Sequence, residues 1–363
     1  MATVRQRLDP DVFRLPVDKL REGYYTDQYF NLTKELLEVT DRRAPVLMQV
    51  FQKGTSVLGG IDEALAILRL CAGRHRPDGS WAGGWDDLVV HALHEGDEIE
   101  PWETVLTIEG DYSLFAHLET VYLGCLARRT LVMRNVRAVV DAARGKPILF
   151  FPARHDHWLV QTGDGWAAHV AGAIGVSTDA QASWWGGRGV GTVPHALIAA
   201  FGGDTVHAAR AFADRYAQEM NITVLVDFDN DSIGTALSVA AALGDRLWGV
   251  RLDTSERLVD KALQDLPDAE DHRGVSVELA RRVRAALDEA GHRAVNIVVS
   301  GGFDAAKIER FEAAGAPVDA YGVGSSLLRG ANDFTADVVC LDGRPVAKVG
   351  REHRPNPRLE RVT

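Results

Sequence analysis

Cysteine is scarce in this chain: 363 residues hold three, Cys71, Cys125 and Cys340, far apart and with no CxxC pair. That excludes a disulfide framework and offers no structural zinc spacing, so a reducing compartment, the cytoplasm, is expected. An excess of base is also missing, since 40 Lys and Arg against 51 Asp and Glu leave a net charge of −11. Nucleic acid and anionic membrane surfaces need a basic face, and neither is expected as a partner, although a locally positive pocket can still hold a small anion. No apolar run approaches the roughly 18 residues of a membrane span. The start, MATVRQRLDPDVFRLP, lacks the apolar core of a signal peptide. What remains is 46% hydrophobic and 25% charged residues, an ordinary globular composition. The length exceeds a usual single core, so two domains are expected, one of them a barrel of about 200 to 250 residues.

Two patterns follow one another along the chain. Up to about residue 127 the sequence reads as a small α+β unit: a strand from Pro45, a helix over Ile61–Leu70, and short β pieces around His91 and Val105 separated by the turn-like EGDEIEP. A helical period runs from Leu114 to Ala143 and is stopped by Gly145-Lys146-Pro147. Short apolar strands then alternate with helices. The strands are Ile148–Phe151, Ile222–Val226, Leu247–Leu252, Asn296–Val299 and Ala320–Val323; helices are read over Ile233–Leu243, Val277–Ala290 and Ala305–Ala314. Strands apolar on both faces mean a buried parallel sheet, doubly wound or closed. The barrel is favoured because each strand ends in a polar or glycine-rich group, and in a barrel those ends converge on one face. The expected fold is α/β: an irregular α/β barrel over 128–333, with a smaller discontinuous α+β domain over 1–127. The tail over 334–363, a hairpin around Asp342-Gly343, completes that small domain.

The strand ends carry the candidate chemistry. Ser300-Gly301-Gly302 leads into a helix, and N–H groups unobstructed by Cβ at a helix start bind phosphate; a tight turn is the bland alternative. Gly322 and Gly324 in the next unit repeat the pattern, in the last two units of the barrel, where such folds often place a phosphate site. Arg251 and Asp253 share one face of a strand end and suit a diol or a carboxylate. Asp227 and Asp229 repeat that spacing and suit a Mg²⁺–pyrophosphate group or a developing cation, with helix capping by Asp229 or Asp231 as the competing reading. His195 precedes an apolar helix, and spacing alone gives it no catalytic role. His155 and His157 form an HxH pair without a third ligand, which falls short of a metal site. Trp184-Trp185 and the glycines after them read as packing and a loop, with a lid as the alternative.

Taken together and in this order, six segments resemble the nicotinate phosphoribosyltransferases, in particular their shorter bacterial and archaeal branch. They are Thr26-Asp27-Gln28-Tyr29-Phe30, Thr104 to Asp111, Gly191-Thr192-Val193-Pro194-His195-Ala196-Leu197-Ile198, Gly249 to Thr254, Val299-Ser300-Gly301-Gly302 and Tyr321-Gly322-Val323-Gly324. The resemblance implies transfer of ribose 5-phosphate from phosphoribosyl pyrophosphate to nicotinate in NAD biosynthesis, with Mg²⁺ and with ATP as a co-substrate. It also implies a homodimer or higher oligomer with shared sites. On it, Tyr29 of a neighbouring subunit and Phe151 would stack on the pyridine, and His195 would be the histidine that ATP phosphorylates. Arg251 and Asp253 would lie around base and ribose, and Ser300, Gly301, Gly302, Gly322 and Gly324 would hold the 5-phosphate.

Two departures concern the base pocket. Relatives usually read Phe-Gly-x-Arg-Arg where this chain has Phe151-Pro152-Ala153-Arg154-His155, and often Ser-Asn where Ser177-Thr178 stands. Arg154, His155, Ser177 and Thr178 are accordingly expected beside the substrate, with the identity of the base open. The rivals are nicotinamide or another pyridine, quinolinate, whose second carboxylate needs more cations than Arg154 and Arg251 supply, and a catalytically silent nucleotide-binding relative.

Overall fold

The computed structural model describes residues 6–267 and 272–363. The first five residues, part of the stretch read for a targeting signal, lie outside that description. The described chain forms two compact units: the residues up to Arg134 together with Gly330–Thr363, and Asn135–Arg329. The junctions thus fall at 134/135 and 329/330, beside the 127/128 and 333/334 read from the sequence.

The first unit is built on an antiparallel sheet of six strands, ordered Arg344–Pro345, Thr335–Leu341, Pro45–Phe51, Thr104–Asp111, Val89–Ala92 and Glu360–Arg361. Its core joins Val46, Met48, Val50, Leu106 and Ile108 of the sheet to Ile61, Leu65 and Leu68 of the helix Ile61–Cys71. The tail enters this sheet through Thr335–Leu341, which pairs antiparallel with Pro45–Phe51. Asp342 and Gly343 then both adopt positive φ (50° and 71°), the turn a two-residue hairpin needs, and fold Arg344–Pro345 back onto that strand. The long helix begins later than its period suggests, at Glu119 rather than Leu114. Asp111 accepts a hydrogen bond from the Ser113 N–H and starts a 3₁₀ turn, a second 3₁₀ turn follows at Ala116–Leu118, and Phe115 between them leaves the helical region at φ −135°. No helix among the described residues is long and apolar enough to cross a membrane.

The second unit is a curled parallel sheet of six strands, in the order Ile222–Leu225, Leu247–Leu252, Asn296–Val299, Ala320–Val323, Ile148–Phe150 and Gly175–Val176. Every pairing is parallel. Between its two edges runs the irregular segment 190–193. The Val190 N–H donates to the Val176 carbonyl at 2.7 Å and the Val193 N–H to the Thr223 carbonyl at 2.9 Å, and Val193 bridges Val224 in parallel. The sheet therefore curls until one non-strand segment spans the gap between its edges, which is the irregular α/β barrel expected. Between strands lie helices, among them Ser232–Leu243, Val277–Glu289 and Ala305–Ala313. Each of these three starts at a side-chain cap, Asp231, Ser276 and Asp304 in turn.

Candidate active site

The carboxyl ends of the barrel strands surround a cavity of about 680 Å³, within the size range of small-molecule sites. Its centre is Arg251, at the end of the strand Leu247–Leu252 and only 17% exposed. Each arm of the fork has a partner. Nε donates to the Ser300 hydroxyl at 2.7 Å, and the two terminal nitrogens reach Thr192 Oγ1 and Asp253 Oδ2, both at 3.4 Å. Burial lowers the Arg251 pKa while Asp253 and Asp227 oppose that shift, so the guanidinium stays charged inside the barrel. The guanidinium carbon stands 5.1 Å from the centre of the Phe151 ring, and cation and π-face line the same cavity. Ser300 links the two charges by donating to Asp253 Oδ1 at 2.8 Å while accepting from Arg251.

The glycines have distinct reasons. Gly301 and Gly302 take φ of 86° and 66°, a left-handed pair that side chains disfavour. A Cβ on Gly301 would stand 3.2 Å from Asp253 Oδ1, whereas one on Gly302 would project into open space. Gly322 is required by close approach: a Cβ there would lie 2.9 Å from the Phe151 ring and 3.2 Å from the Ser300 Cβ. At Gly324 the neighbour is His155, whose ring carbon would be 3.1 Å from an added Cβ. His155 therefore sits over the second glycine motif.

His195 begins the helix His195–Ala200 directly after the 190–193 segment, so closing the barrel also places this histidine. Its Nε2 lies 3.1 Å from Asp227 Oδ1. An ionised carboxylate only accepts, so Nε2 carries the hydrogen and Nδ1 is left free. That bond raises the His195 pKa; burial opposes the shift, Asp227 and Asp253 add to it by charge, and Arg251 works against it. The Asp227 side chain is only 6% exposed.

Of the residues expected from the sequence, Phe151, Arg154, His155, Ser177, Thr178, His195, Arg251, Asp253, Ser300, Gly301, Gly302, Gly322 and Gly324 line this one cavity. Asp227 joins it through His195. Asp229 does not: it sits exposed in the turn after the strand, while Asp231 caps the next helix by accepting from the Gly234 N–H. The Asp227–Asp229 pair is thus not one face of a metal cage, and no group of three or more His, Cys, Asp or Glu able to hold a metal occurs among the described residues. Thr178 lines the cavity while using its hydroxyl on Gln161 and on the Gln181 N–H, and Ser177 Oγ likewise binds Gln181. Tyr29 belongs to the first unit, on the helix Gln28–Val39, and is 61% exposed. His157 and Trp158 stack on one another at 5.4 Å and do not line the cavity, whereas Trp185 stacks on His169 at 4.3 Å.

Ser325 and Ser326, which continue the glycine-rich run from Tyr321, and Arg329 also line the cavity; of these, sequence reasoning missed Arg329. Arg329 had no motif, and only the 3₁₀ turn Ser325–Leu328 carries it back to the site.

Comparison with known proteins bears on the fold and the family. The family model described as quinolinate phosphoribosyl transferase, N-terminal domain, matches residues 27–130. Nicotinate phosphoribosyltransferase pncB1 of Mycobacterium tuberculosis is 33% identical over 268 residues, covering 71% of this chain and 55% of that protein. Nicotinate phosphoribosyltransferase of Bacillus subtilis is 23% identical over 341 residues, 88% of this chain and 63% of its own length. The chain thus spans between half and two thirds of the length of these curated relatives. Among solved structures, nicotinate-nucleotide pyrophosphorylase from Pyrococcus furiosus superimposes with a TM-score of 0.79 and 33% identity, covering 96% of this chain and 85% of that one. Human nicotinic acid phosphoribosyltransferase, at 19% identity, TM-score 0.64 and coverage of 88% and 75%, shares the fold. With pncB1 one-third identical over 71% of this chain and the Pyrococcus structure one-third identical over 96% of it, the chain belongs to the nicotinate phosphoribosyltransferase family.

Proposed function

We propose that this chain is a nicotinate phosphoribosyltransferase. It joins nicotinate to the ribose 5-phosphate of phosphoribosyl pyrophosphate, yielding nicotinate mononucleotide and pyrophosphate for NAD synthesis, with ATP hydrolysed alongside. The observation that carries the reading is the fixed Arg251–Ser300–Asp253 set, which opens with two glycine motifs and Phe151 onto one cavity. The pyridine nitrogen attacks the anomeric carbon as the pyrophosphate oxygen leaves, through an oxocarbenium-like transition state. Little covalent chemistry falls to the protein, so positioning and charge dominate. Phe151 and Arg251 offer a π-face and a cation to the carboxylated ring, and the Ser300–Gly302 and Gly322–Gly324 backbones take the 5-phosphate. Asp253 is the carboxylate placed for the ribose and its developing positive charge. Mg²⁺ enters as part of the substrate, on its pyrophosphate, the usual way this ion reaches phosphoryl sites. His195 accepts a phosphoryl group from ATP on Nδ1, with Asp227 holding the opposite nitrogen. The working assembly is a homodimer or a larger multiple in which Tyr29 of a neighbouring subunit completes the ring stack.

A second reading keeps the chemistry and changes the base. The family matched over residues 27–130 is described as quinolinate phosphoribosyl transferase, and Arg329 adds to the cavity a cation absent from the count made on sequence. Incubation with phosphoribosyl pyrophosphate, Mg²⁺, ATP and a panel of pyridines, followed by mass spectrometry, separates the two. Nicotinate mononucleotide formed from nicotinate supports the first reading. The same product formed only from quinolinate, with loss of carbon dioxide, supports the second, and no pyrophosphate release from any base defeats both.

A further inference from the structure

Lys307 occupies the first turn of the helix Ala305–Ala313, where its backbone N–H donates to the capping Asp304. A cation is disfavoured at that end of a helix, whose dipole is already positive. Burial also lowers its pKa, and Arg310 adds to that shift against Asp304, Glu256 and Asp253. The side chain is nonetheless fixed. Its ammonium donates to the Gly301 carbonyl at 3.1 Å and stands 4.2 Å from the centre of the Phe303 ring.

The peptide between Gly301 and Gly302 is planar and trans, so its carbonyl and its N–H point in opposite directions. Gly301 and Gly302 line the cavity and Lys307 does not. The Gly301 carbonyl faces the Lys307 ammonium, so the Gly302 N–H across the same peptide faces away from it, and Gly302 itself lines the cavity. Two successive glycines with positive φ have little stiffness of their own, so an external anchor decides which way this peptide faces. We propose that Lys307 is a positioning residue for the anion site: it locks the Gly301–Gly302 peptide with its N–H aimed at the substrate phosphate and brings a positive charge behind it.

The proposal rests on the phosphoribosyltransferase reading for its substrate, and its test separates the two. Lys307→Met keeps the stem length and the packing on Phe303 while removing the donor; Lys307→Arg restores a charged donor. The expected result for Lys307→Met is a KM for phosphoribosyl pyrophosphate raised about tenfold, with kcat and the KM for the pyridine within about twofold of wild type. Affinity for inorganic phosphate, measured by calorimetry, should fall by a similar factor, and Lys307→Arg should recover most of both losses. A role confined to stability would instead lower the melting temperature and move both KM values together. An unchanged KM for phosphoribosyl pyrophosphate in Lys307→Met, or a loss that Arg does not reverse, overturns the proposal. Should wild type release no pyrophosphate, the functional reading fails alone, and the phosphate affinities of wild type and the two variants still decide on Lys307.

Discussion

Asp227 sets two properties of His195 at once, because the bond to Nε2 fixes the tautomer and, with the carboxylate's negative charge adding to it, raises the pKa. The raised value means that proton binding favours the folded state. This contribution is complete below the ordinary histidine value of about 6.5 and is lost as pH rises through the folded value. With His195 more than one-third exposed, solvent screening keeps it small. The chemical effect is larger, since the proton taken up occupies Nδ1, the nitrogen that must attack ATP. Phosphorylation of His195 should therefore increase as pH rises through the histidine titration. Asp227→Asn can still accept from Nε2 but lacks the charge, so the midpoint should move to lower pH. Acid-labile labelling from radioactive ATP across that range checks this, and coincident midpoints would sink it. Arg251 is a second test at this scale. Its three bonded nitrogens diverge to Ser300, Thr192 and Asp253, a geometry one ammonium cannot copy. Arg251→Lys should cost about 10²-fold in kcat/KM while the protein stays folded, measured by steady-state kinetics beside a thermal melt. Gly322→Ala, which sets a methyl 2.9 Å from the Phe151 ring and 3.2 Å from the Ser300 Cβ, should raise the KM for both the pyridine and phosphoribosyl pyrophosphate, read by the same steady-state kinetics.

Elements were legible where the apolar run alone fixed them. Leu247–Leu252, Asn296–Val299 and Ala320–Val323 stand at the bounds read from the sequence, because each is a short, largely apolar and largely buried run set off from its neighbours. Gly175–Val176 was not legible, since two residues carry no period. The 190–193 segment hid for a related reason: the glycines up to Gly191 read as loop, and only the hydrogen bonds at Val190 and Val193 show that it spans the barrel edges. Among site residues, glycine motifs and the Arg251–Asp253 pair announced themselves by spacing, whereas Arg329 and Lys307 act through the path of the chain after a turn. The seam yields a prediction of its own. Val193→Pro removes the N–H given to Thr223 and leaves that carbonyl without its partner, which should cost about 1 to 3 kcal/mol. His195 follows two residues later, so ATP stimulation should be lost before basal transfer. Urea melts and assays with and without ATP check the order, and equal loss of both activities would mean that the seam does not specifically position His195.

For the molecule as a whole, the open question is what covers the helix Gln28–Val39, which has no buried residue. Tyr29, Leu32, Leu36 and Val39 are 61%, 61%, 61% and 74% exposed, and their spacing of three and four places them along one face. A contiguous apolar stripe of that kind in a chain of net charge −11 is expected to be covered in the working assembly. The proposed homodimer covers it with a second copy and makes each site depend on two chains, Tyr29 from one and Asp253 from the other. Tyr29→Ala and Asp253→Ala should each be nearly inactive alone. In a mixed dimer one site then inherits both lesions and the other neither. With free subunit exchange at equal amounts, half the dimers are mixed and half their sites are intact, so activity should return to about a quarter of wild type. Exchange is followed independently by differently tagged subunits. Full mixing with no recovered activity would place Tyr29 and Asp253 in separate roles, and the exposed stripe would then need an occupant other than a second copy.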